Sequence, residues 1–356
     1  MAQGSGGGPG EPVPADQVCL SNRKANRPKT GHSLVRGVGI DKLSVSFPVS
    51  GWESDPSAWD SVSVRQPGTV AASERREARV PATAGWSVFV GVQEIPEHPS
   101  HRWWGKAEFN PSRVVDPDGW GLCSVEELPV AVKRAAMVIR ERVAPVTDLG
   151  DWRVKRADVA RDFAGVNGAP QLVRSLSALP RSWARRNFVH ADAQRNGAQT
   201  LTVGSGAGQC RLYDLHAAHD APDGALRVEM ECRSRWLDRY GSISSLRDLT
   251  PSSVDVLMRG RWEWSAMGVE VAASTRALVE RVRVANLTAA KEERFLGWLM
   301  VQAAGMARGG ARQTAWRYRS LQRELGIVAS SDLLDVDAVV WRRLDLDEGT
   351  EVVRVA

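Results

Sequence analysis

The segment QTLTVGSGAGQCRLYD, residues 199–214, decides the fold, because it has the pattern of two short strands joined by a glycine-rich turn. After the turn, Cys210 and Leu212 alternate with Arg211 and Tyr213, which is the period of a half-buried strand. Arg211 and Tyr213 are therefore expected to share one face of the strand. An arginine beside a tyrosine is the pairing that suits attack on a phosphate.

Tyr213 nevertheless has two interpretations. A tyrosine in a strand is commonly a packed side chain whose hydroxyl reaches water, and the pattern alone favours this one. The chain has three tyrosines, Tyr213, Tyr240 and Tyr318, so a reaction that needs a tyrosine must use one of them. Both interpretations stay open at this point.

The composition is that of a globular protein of 356 residues, with 43% hydrophobic residues, 25% charged residues and a net charge of +5. No apolar run approaches the roughly 20 residues of a membrane helix, and the first residues lack the apolar segment of a secretory signal. This predicts no membrane partner and a cytoplasmic location. The four cysteines are scattered, which indicates reduced thiols rather than a zinc ribbon or a disulfide framework.

The order of the predicted elements indicates an α+β fold, with a mostly antiparallel sheet domain and packed helices followed by a helical C-terminal region. Residues 1–36 are rich in Gly, Pro and Ser and are predicted to be a disordered leader. The sheet domain is placed at 37–250 and the helical region at 251–356. Strands are predicted at 40–48, 86–92, 104–109, 153–163 and 224–233 besides the hairpin, helices at 125–144 and 170–187, and a loop at 51–84.

The predicted start of the first long helix is a capping box. Ser124 and Glu127 have its spacing, so that each side chain is expected to accept a hydrogen bond from the backbone N–H of the other residue. Pro129 follows in the first turn, where proline is tolerated. The apolar residues after it recur at helical spacing, which predicts a helix packed on the sheet.

Carboxylates recur on the polar side of the predicted strands. Asp158 and Asp162 are four residues apart in one strand and therefore project to the same face, while Glu229 and Glu108 add carboxylates on other strands. Oxygen ligands grouped in this way are typical of a site for Mg²⁺ or Mn²⁺. The alternative is a solvated face on which arginines pair with the acids, and the spacing leaves both open.

Three motifs, taken in order, resemble those of the replication initiation factor family, which groups rolling-circle plasmid initiators of the Rep-trans type with related phage and integrative-element proteins. They are RADVARD at 156–162, the hairpin TLTVGS at 200–205 leading into RLYD at 211–214, and LRVEM at 226–230. EFNPS at 108–112 also resembles a strand end of the phage-type relatives. The resemblance covers about residues 38–250. Leu215 stands where the family usually has Lys, and Gly206 stands where a basic residue is common.

The resemblance implies a rolling-circle replication initiator, an endonuclease that nicks origin DNA at a specific site. Tyr213 would be the nucleophile, giving a 5′-phosphotyrosyl intermediate and a 3′-hydroxyl primer, and Arg211 would contact the phosphate. A bound Mg²⁺ or Mn²⁺ would be held by carboxylates, the candidates being Asp158, Glu229, Asp162 and Glu108. The implied partners are single-stranded or cruciform origin DNA, a host helicase and a second copy of the chain in a homodimer.

Basic residues interleaved with tryptophan occur in two further places and suit contact with DNA phosphates. The predicted DNA-binding residues are Arg181, Trp183, Arg185, Arg186, Arg312, Arg317 and Arg319. For the C-terminal group, a solvated basic helix is the alternative. For the whole chain, the alternative is a non-catalytic origin-binding or copy-control protein that keeps the sheet domain without cleaving DNA, and Leu215 favours that idea.

Overall fold

The computed structural model describes most of the chain after the predicted leader. The described residues are 37–49, 59–65, 73–82, 86–94, 103–117, 119–142, 148–179, 187–192, 198–204, 208–219, 221–303, 312–334 and 339–355. The predicted disordered leader at 1–36 lies outside them.

The described strands form two sheets. They are β1 Val38–Val49, β2 Ser61–Arg65, β3 Ser73–Pro81, β4 Ser87–Glu94, β5 Trp103–Phe109, β6 Arg153–Phe163, β7 Asn187–Asp192, β8 Ala198–Val203, β9 Cys210–Asp214, β10 Leu226–Arg233, β11 Val271–Ser274, β12 Val328–Leu334, β13 Val340–Asp345 and β14 Thr350–Val355. The large sheet has ten strands in the order β2-β3-β4-β5-β1-β6-β10-β9-β8-β7, and the small sheet has the order β12-β11-β13-β14. Every pairing in the large sheet is antiparallel.

The described helices are distributed along the chain. They are α1 Pro111–Val115, α2 Leu128–Arg142, α3 Ala169–Ser177, α4 Leu215–His219, α5 Ser234–Trp236, α6 Pro251–Ser265, α7 Thr275–Arg283, α8 Ala289–Ala303 and α9 Arg312–Leu325, with short 3₁₀ or π turns at Leu149–Asp151, Leu237–Gly241 and Leu246–Asp248. None of the described helices is long and apolar enough to cross a membrane.

The large sheet has one polar and one apolar face in its central strands. Directly paired residues of adjacent strands lie on the same face, and side chains alternate along each strand. The apolar face carries residues such as Val159, Leu212 and Val228, which join one hydrophobic core with residues of α2, α3 and α6. These helices therefore cover the apolar face. A second core lies among the small sheet and helices α7, α8 and α9.

The turn between β13 and β14 contacts the end of β6. The backbone N–H of Ala164 donates to the carbonyl of Gly349 at 2.9 Å. The Arg342 guanidinium pairs with Glu351, whose side chain is almost fully buried. The same guanidinium donates to the carbonyl of Asn167. The C-terminal strands are thereby fixed against the strand that carries Asp158 and Asp162.

The prediction of an α+β fold with a large antiparallel sheet and helices in the C-terminal part is confirmed. The capping box is also observed: the N–H of Ser124 donates to Glu127 at 3.0 Å and the N–H of Glu127 donates to Ser124 Oγ at 3.3 Å. Helical hydrogen bonding therefore starts at this box, and α2 begins at Leu128.

Three local predictions differ from the structure. The predicted loop at 51–84 contains β2 and β3. Charged residues hide the apolar period of a strand in β3, whereas the alternation of Ser and Val in β2 was a usable signal. The helix predicted at 170–187 ends at Ser177, and residues 180–186 lie outside the described part of the chain. The C-terminal region contains the four-stranded sheet besides its helices, because strands as short as β11 leave little periodicity to read.

The glycine-rich turn has a close-packed base. Gly204 has φ +88°, and Gly208 lies against Arg261 and Trp236. The Arg261 guanidinium lies 4.3 Å from the ring centroid of Trp236 and 3.9 Å from that of Trp264, a cation–π arrangement. The described glycines of the turn therefore pack against this buried cluster, which explains why these positions lack side chains.

We expect Gly204→Ala to destabilise the protein by roughly 2–4 kcal/mol, combining left-handed backbone strain with overpacking. A Cβ at position 204 would lie 2.3 Å from the carbonyl oxygen of Gly208 and 2.9 Å from Trp264. Urea denaturation measures the effect. The control is Gly121→Ala, where a Cβ would meet nothing within 4 Å, and a loss of equal size in both variants would contradict the packing argument.

Candidate active site on the polar face of the sheet

The pairing of β6, β10 and β9 brings most of the predicted site residues onto one face. Asp158 is paired with Glu231, and Asp162 with Arg227. On the next strand, Arg227 is paired with Tyr213. The polar face is defined here by the side chains that point to this side of the three strands: Arg156, Asp158, Asp162, Arg211, Tyr213, Arg227, Glu229 and Glu231.

Tyr213 and Glu229 form the central contact of the polar face. The Tyr213 hydroxyl donates to Glu229 Oε1 at 2.5 Å, and both residues are buried, at 1% and 4% exposure. Arg211 Nη1 lies 3.8 Å from the other oxygen of Glu229 and Arg211 Nη2 donates to Gln209 at 3.1 Å. The phenol is therefore held by a carboxylate that also faces a cation.

Arg227 is a functional candidate that sequence reasoning missed. Its guanidinium donates to both oxygens of Asp162, at 2.6 and 2.9 Å, and to the carbonyl of Trp120 at 2.8 Å. Burial opposes its charge, yet the carboxylate of Asp162 holds the pKa of Arg227 well above its ordinary value. A usable signal existed, because Arg227 shares a face with Glu229 two residues away.

Asp158 is engaged by a second guanidinium. Arg156 donates to its two oxygens at 2.7 and 2.5 Å and lies 3.2 Å from Glu231. Although burial opposes the charge, the hydrogen bond to Asp158 holds the pKa of Arg156 above its ordinary value. Burial raises the pKa of Asp158 to about 7 against the pull of Arg156, with Glu231 adding negative charge nearby. The Arg156 guanidinium thus pairs with both Asp158 and Glu231.

Glu108 lies apart from this group. It is on β5 and on the same side of the sheet, since it is paired with Ser44, which is paired with Arg156. Its carboxylate pairs with Lys42 at 3.0 Å. Although burial opposes it, this lysine holds the pKa of Glu108 below its ordinary value. Glu108 is therefore a neighbour of the polar face rather than a contact of Tyr213.

The predicted metal ligands do not converge on one point. In the described part of the chain, no group of three or more His, Cys, Asp or Glu side chains is placed to hold a metal ion. Asp158 and Asp162 are each bound by a guanidinium, and Glu229 is bound by Tyr213. Since Mg²⁺ and Mn²⁺ need several oxygens around one position, the residues as arranged do not fit either ion. Metal dependence stays a prediction from the resemblance.

Tyr213 is covered by a small apolar cluster. The cluster comprises Tyr213, Trp120, Leu215, Ala218, Ala221 and Ala225. Leu215, the residue that departs from the family pattern, begins α4 and is fully buried. The His219 ring lies edge-on to Tyr213 with 6.4 Å between centroids. In this conformation α4 and Trp120 close over the phenol.

Of the predicted DNA-binding residues, those that the structure describes lie on α9. Residues 181–186 fall outside the described part of the chain, and Arg312 is the first residue of α9. Arg317 and Arg319 are exposed on α9, and the neighbouring Trp316 is 65% exposed. The helix packs through Tyr318 and its neighbours on the second core. Its Gln322 contacts the carbonyl of Ala178, just after α3, at 3.4 Å, and α3 covers the apolar face.

Comparison with known proteins adds little to this geometry. The sequence matches no protein-family model and no curated protein. Among solved structures, it is similar to the rolling circle replication initiator protein from Geobacillus stearothermophilus, with 12% identity, coverage of 61% of this chain and 78% of that chain, and a TM-score of 0.27. A TM-score of this size supports no inference about fold or function.

Proposed function

We propose that the polar face is the active site of a DNA-nicking enzyme, a rolling-circle replication initiator in which Tyr213 is the nucleophile. The observation that carries the proposal is the 2.5 Å hydrogen bond from the Tyr213 hydroxyl to Glu229. Arg211 lies beside that carboxylate, and Arg227 is paired with Tyr213 across the strands. A phenol held by a carboxylate among guanidinium groups has a proton acceptor and cations that suit a phosphate.

In the proposed reaction, Glu229 accepts the phenol proton as the Tyr213 oxygen attacks phosphorus. The bond between phosphorus and the 3′ oxygen breaks, so the 5′ phosphate of the DNA stays on the tyrosine. The 3′ oxygen takes a proton from water and becomes the primer hydroxyl. Arg211, with a side chain that is 33% exposed, is the guanidinium that a bound phosphate can reach.

The binding partners and the metal ion of the proposed enzyme are predictions. The family resemblance implies origin DNA, a host helicase and a homodimer, and it implies Mg²⁺ or Mn²⁺. The nicking assay tests the ion directly when it is run with each ion and with a chelator. No step above is assigned to a metal.

A non-catalytic DNA-binding protein is the second candidate, and the burial of Tyr213 favours it. Tyr213 is 1% exposed, and Leu215 is fully buried in the cluster that covers it. A covalent adduct with an oligonucleotide of the origin indicates the enzyme. A salt-sensitive mobility shift without an adduct indicates the binding protein.

We expect Glu229→Gln to slow nicking by about 10²–10⁴-fold, the usual contribution of a general base. The amide still offers an oxygen to the Tyr213 hydroxyl but accepts its proton far less readily than a carboxylate. The effect is measured as the initial rate of nicking of a supercoiled plasmid. This plasmid carries the DNA that flanks the coding sequence of this protein.

The matched control is Glu231→Gln, two residues further along the same strand and face. Glu231 pairs with Arg156 and Arg233 instead of the tyrosine, so its amide variant is expected to nick far faster than Glu229→Gln. Equal rates for Glu229→Gln and the wild type would remove Glu229 from the proposed chemistry.

A further inference from the structure

A cavity lies at the start of β1 and the end of β6, on the apolar face of the large sheet, opposite the face that carries Tyr213. Its volume is about 310 Å³, within the range of small-molecule sites. Its described lining comes from the start of β1, the turn before α2, the first turns of α6, Arg161 of β6 and the turn between β13 and β14. The proposed nicking reaction uses none of these residues.

Arg161 is the unusual group in the wall of this cavity. It is 7% exposed, its Nε has no hydrogen-bond partner among the described residues, and its Nη2 donates to the backbone carbonyl of Asp347 at 2.8 Å. No carboxylate of the described residues forms an ion pair with it. Burial lowers the pKa of Arg161, although nearby carboxylates, Asp162 first among them, oppose the shift. A buried donor without a partner is costly, so the Nε–H is the group that a ligand in the cavity would satisfy.

The rest of the wall includes the N-terminal ends of two helices. Pro251 is the first residue of α6, and Ser124, which belongs to the capping box, comes just before α2. Helix N-termini favour anions. Three carboxylates also face the cavity. Asp255 and Asp347 are both hydrogen-bonded to Arg259, which offsets part of their charge, and Glu126 is exposed.

We propose that this cavity binds a phosphate group, with the Arg161 guanidinium as its principal contact and the two helix N-termini as its dipolar wall. Free phosphate, a nucleoside monophosphate and the 5′ phosphate of a DNA end share this chemistry. The cavity admits a group of that size beside Arg161, and a phosphate oxygen bound there accepts the Nε–H that has no partner among the described residues.

Thermal unfolding of the full chain tests the site with inorganic phosphate as the probe, against potassium chloride at equal ionic strength. At about 100 times its dissociation constant, phosphate is expected to raise the melting temperature by roughly 5 °C. Arg161→Met is expected to remove that rise, measured against the melting temperature of the same variant without phosphate. Arg153→Met is the control, since Arg153 lies on the same strand and is exposed.

A second variant keeps the test valid if Arg161→Met fails to fold. Glu126→Gln removes a wall carboxylate at an exposed position and is expected to raise phosphate affinity about two- to fivefold, as for one charge near a helix N-terminus. A wild type that phosphate does not stabilise, or an Arg161→Met variant stabilised as strongly as the wild type, overturns the proposal. So does an unchanged affinity in Glu126→Gln.

Two further titrations distinguish a nucleotide from a DNA end as the source of the phosphate group. Tighter binding of adenosine monophosphate than of inorganic phosphate indicates a nucleotide. Tighter binding of a 5′-phosphorylated oligonucleotide than of its unphosphorylated form indicates a DNA end. Both titrations measure binding to the free protein and do not depend on the nicking reaction. Their outcome is therefore independent of the role proposed for Tyr213.

Discussion

Tyr213→Phe is expected to abolish the covalent adduct with DNA and to lower nicking by at least about 10⁴-fold, as for loss of a catalytic nucleophile. The phenyl ring keeps the apolar contacts of the cluster around Trp120 and Leu215. It loses the hydroxyl that donates to Glu229, and a buried acceptor left with fewer donors costs about 1–3 kcal/mol. The variant should therefore fold, with reduced stability, and remain bound to DNA.

The assay combines two readouts on the same preparations. Denaturing electrophoresis with a labelled oligonucleotide detects the phosphotyrosyl adduct, and conversion of supercoiled plasmid to open circles measures nicking. Tyr240→Phe is the matched control, because Tyr240 stacks on Trp236 with 4.6 Å between ring centroids and does not contact Glu229. Nicking by Tyr213→Phe at the wild-type rate would remove Tyr213 from the mechanism, whereas DNA binding by a wild type that forms no adduct supports the non-catalytic candidate.

The shared face of Asp158 and Asp162 could be predicted because the side-chain period of a strand is exactly two. That arginines pair with these acids was one of the two interpretations, but which arginine meets which acid could not be predicted, because it depends on long-range pairing. Asp162 and its partner Arg227 are 65 residues apart in the chain and meet only because β6 pairs with β10 in one register. A one-residue slip of that register would put Arg227 on the apolar face.

The sequence favoured a packed Tyr213, but it did not show what covers the ring or that the hydroxyl donates to Glu229 instead of reaching water. The alternation in residues 210–214 places Tyr213 on the polar side of β9, and it does lie on the face that carries the acids. Its cover comes from Trp120, which is distant in sequence, and from α4. Leu215 is explained by this cover, since a lysine at a fully buried position would need a counter-charge. The departure from the family pattern is therefore tied to the closed arrangement around the phenol.

Asp162 is either a metal ligand or the partner of Arg227. The two interpretations predict opposite changes in the free energy of unfolding for Asp162→Ala when a chelator is present. If Asp162 is a metal ligand, its removal in the absence of metal relieves repulsion between carboxylates and stabilises the protein. The structure instead pairs Asp162 with Arg227, and both side chains are buried. Removing Asp162 leaves the buried guanidinium with Asp41, at 3.5 Å, as its remaining described ion-pair partner, and breaking a buried pair costs about 3–5 kcal/mol. We expect that loss, measured by urea denaturation with chelator present.

The Asp162–Arg227 pair can also be removed as a whole, and this separates the ion pair from a simple loss of packing. In the double variant Arg227→Met with Asp162→Leu, both buried charges go and the volume is largely kept, whereas Asp41, which lies 3.5 Å from Arg227 in the wild type, keeps its charge at a partly exposed position. Stability should therefore recover to within about 1–2 kcal/mol of the wild type. Asp151→Ala, at an exposed position just before β6, should change stability by less than about 0.5 kcal/mol. A stabilised Asp162→Ala would contradict the ion pair and restore Asp162 as a metal ligand, because only repulsion among unpaired carboxylates produces that sign.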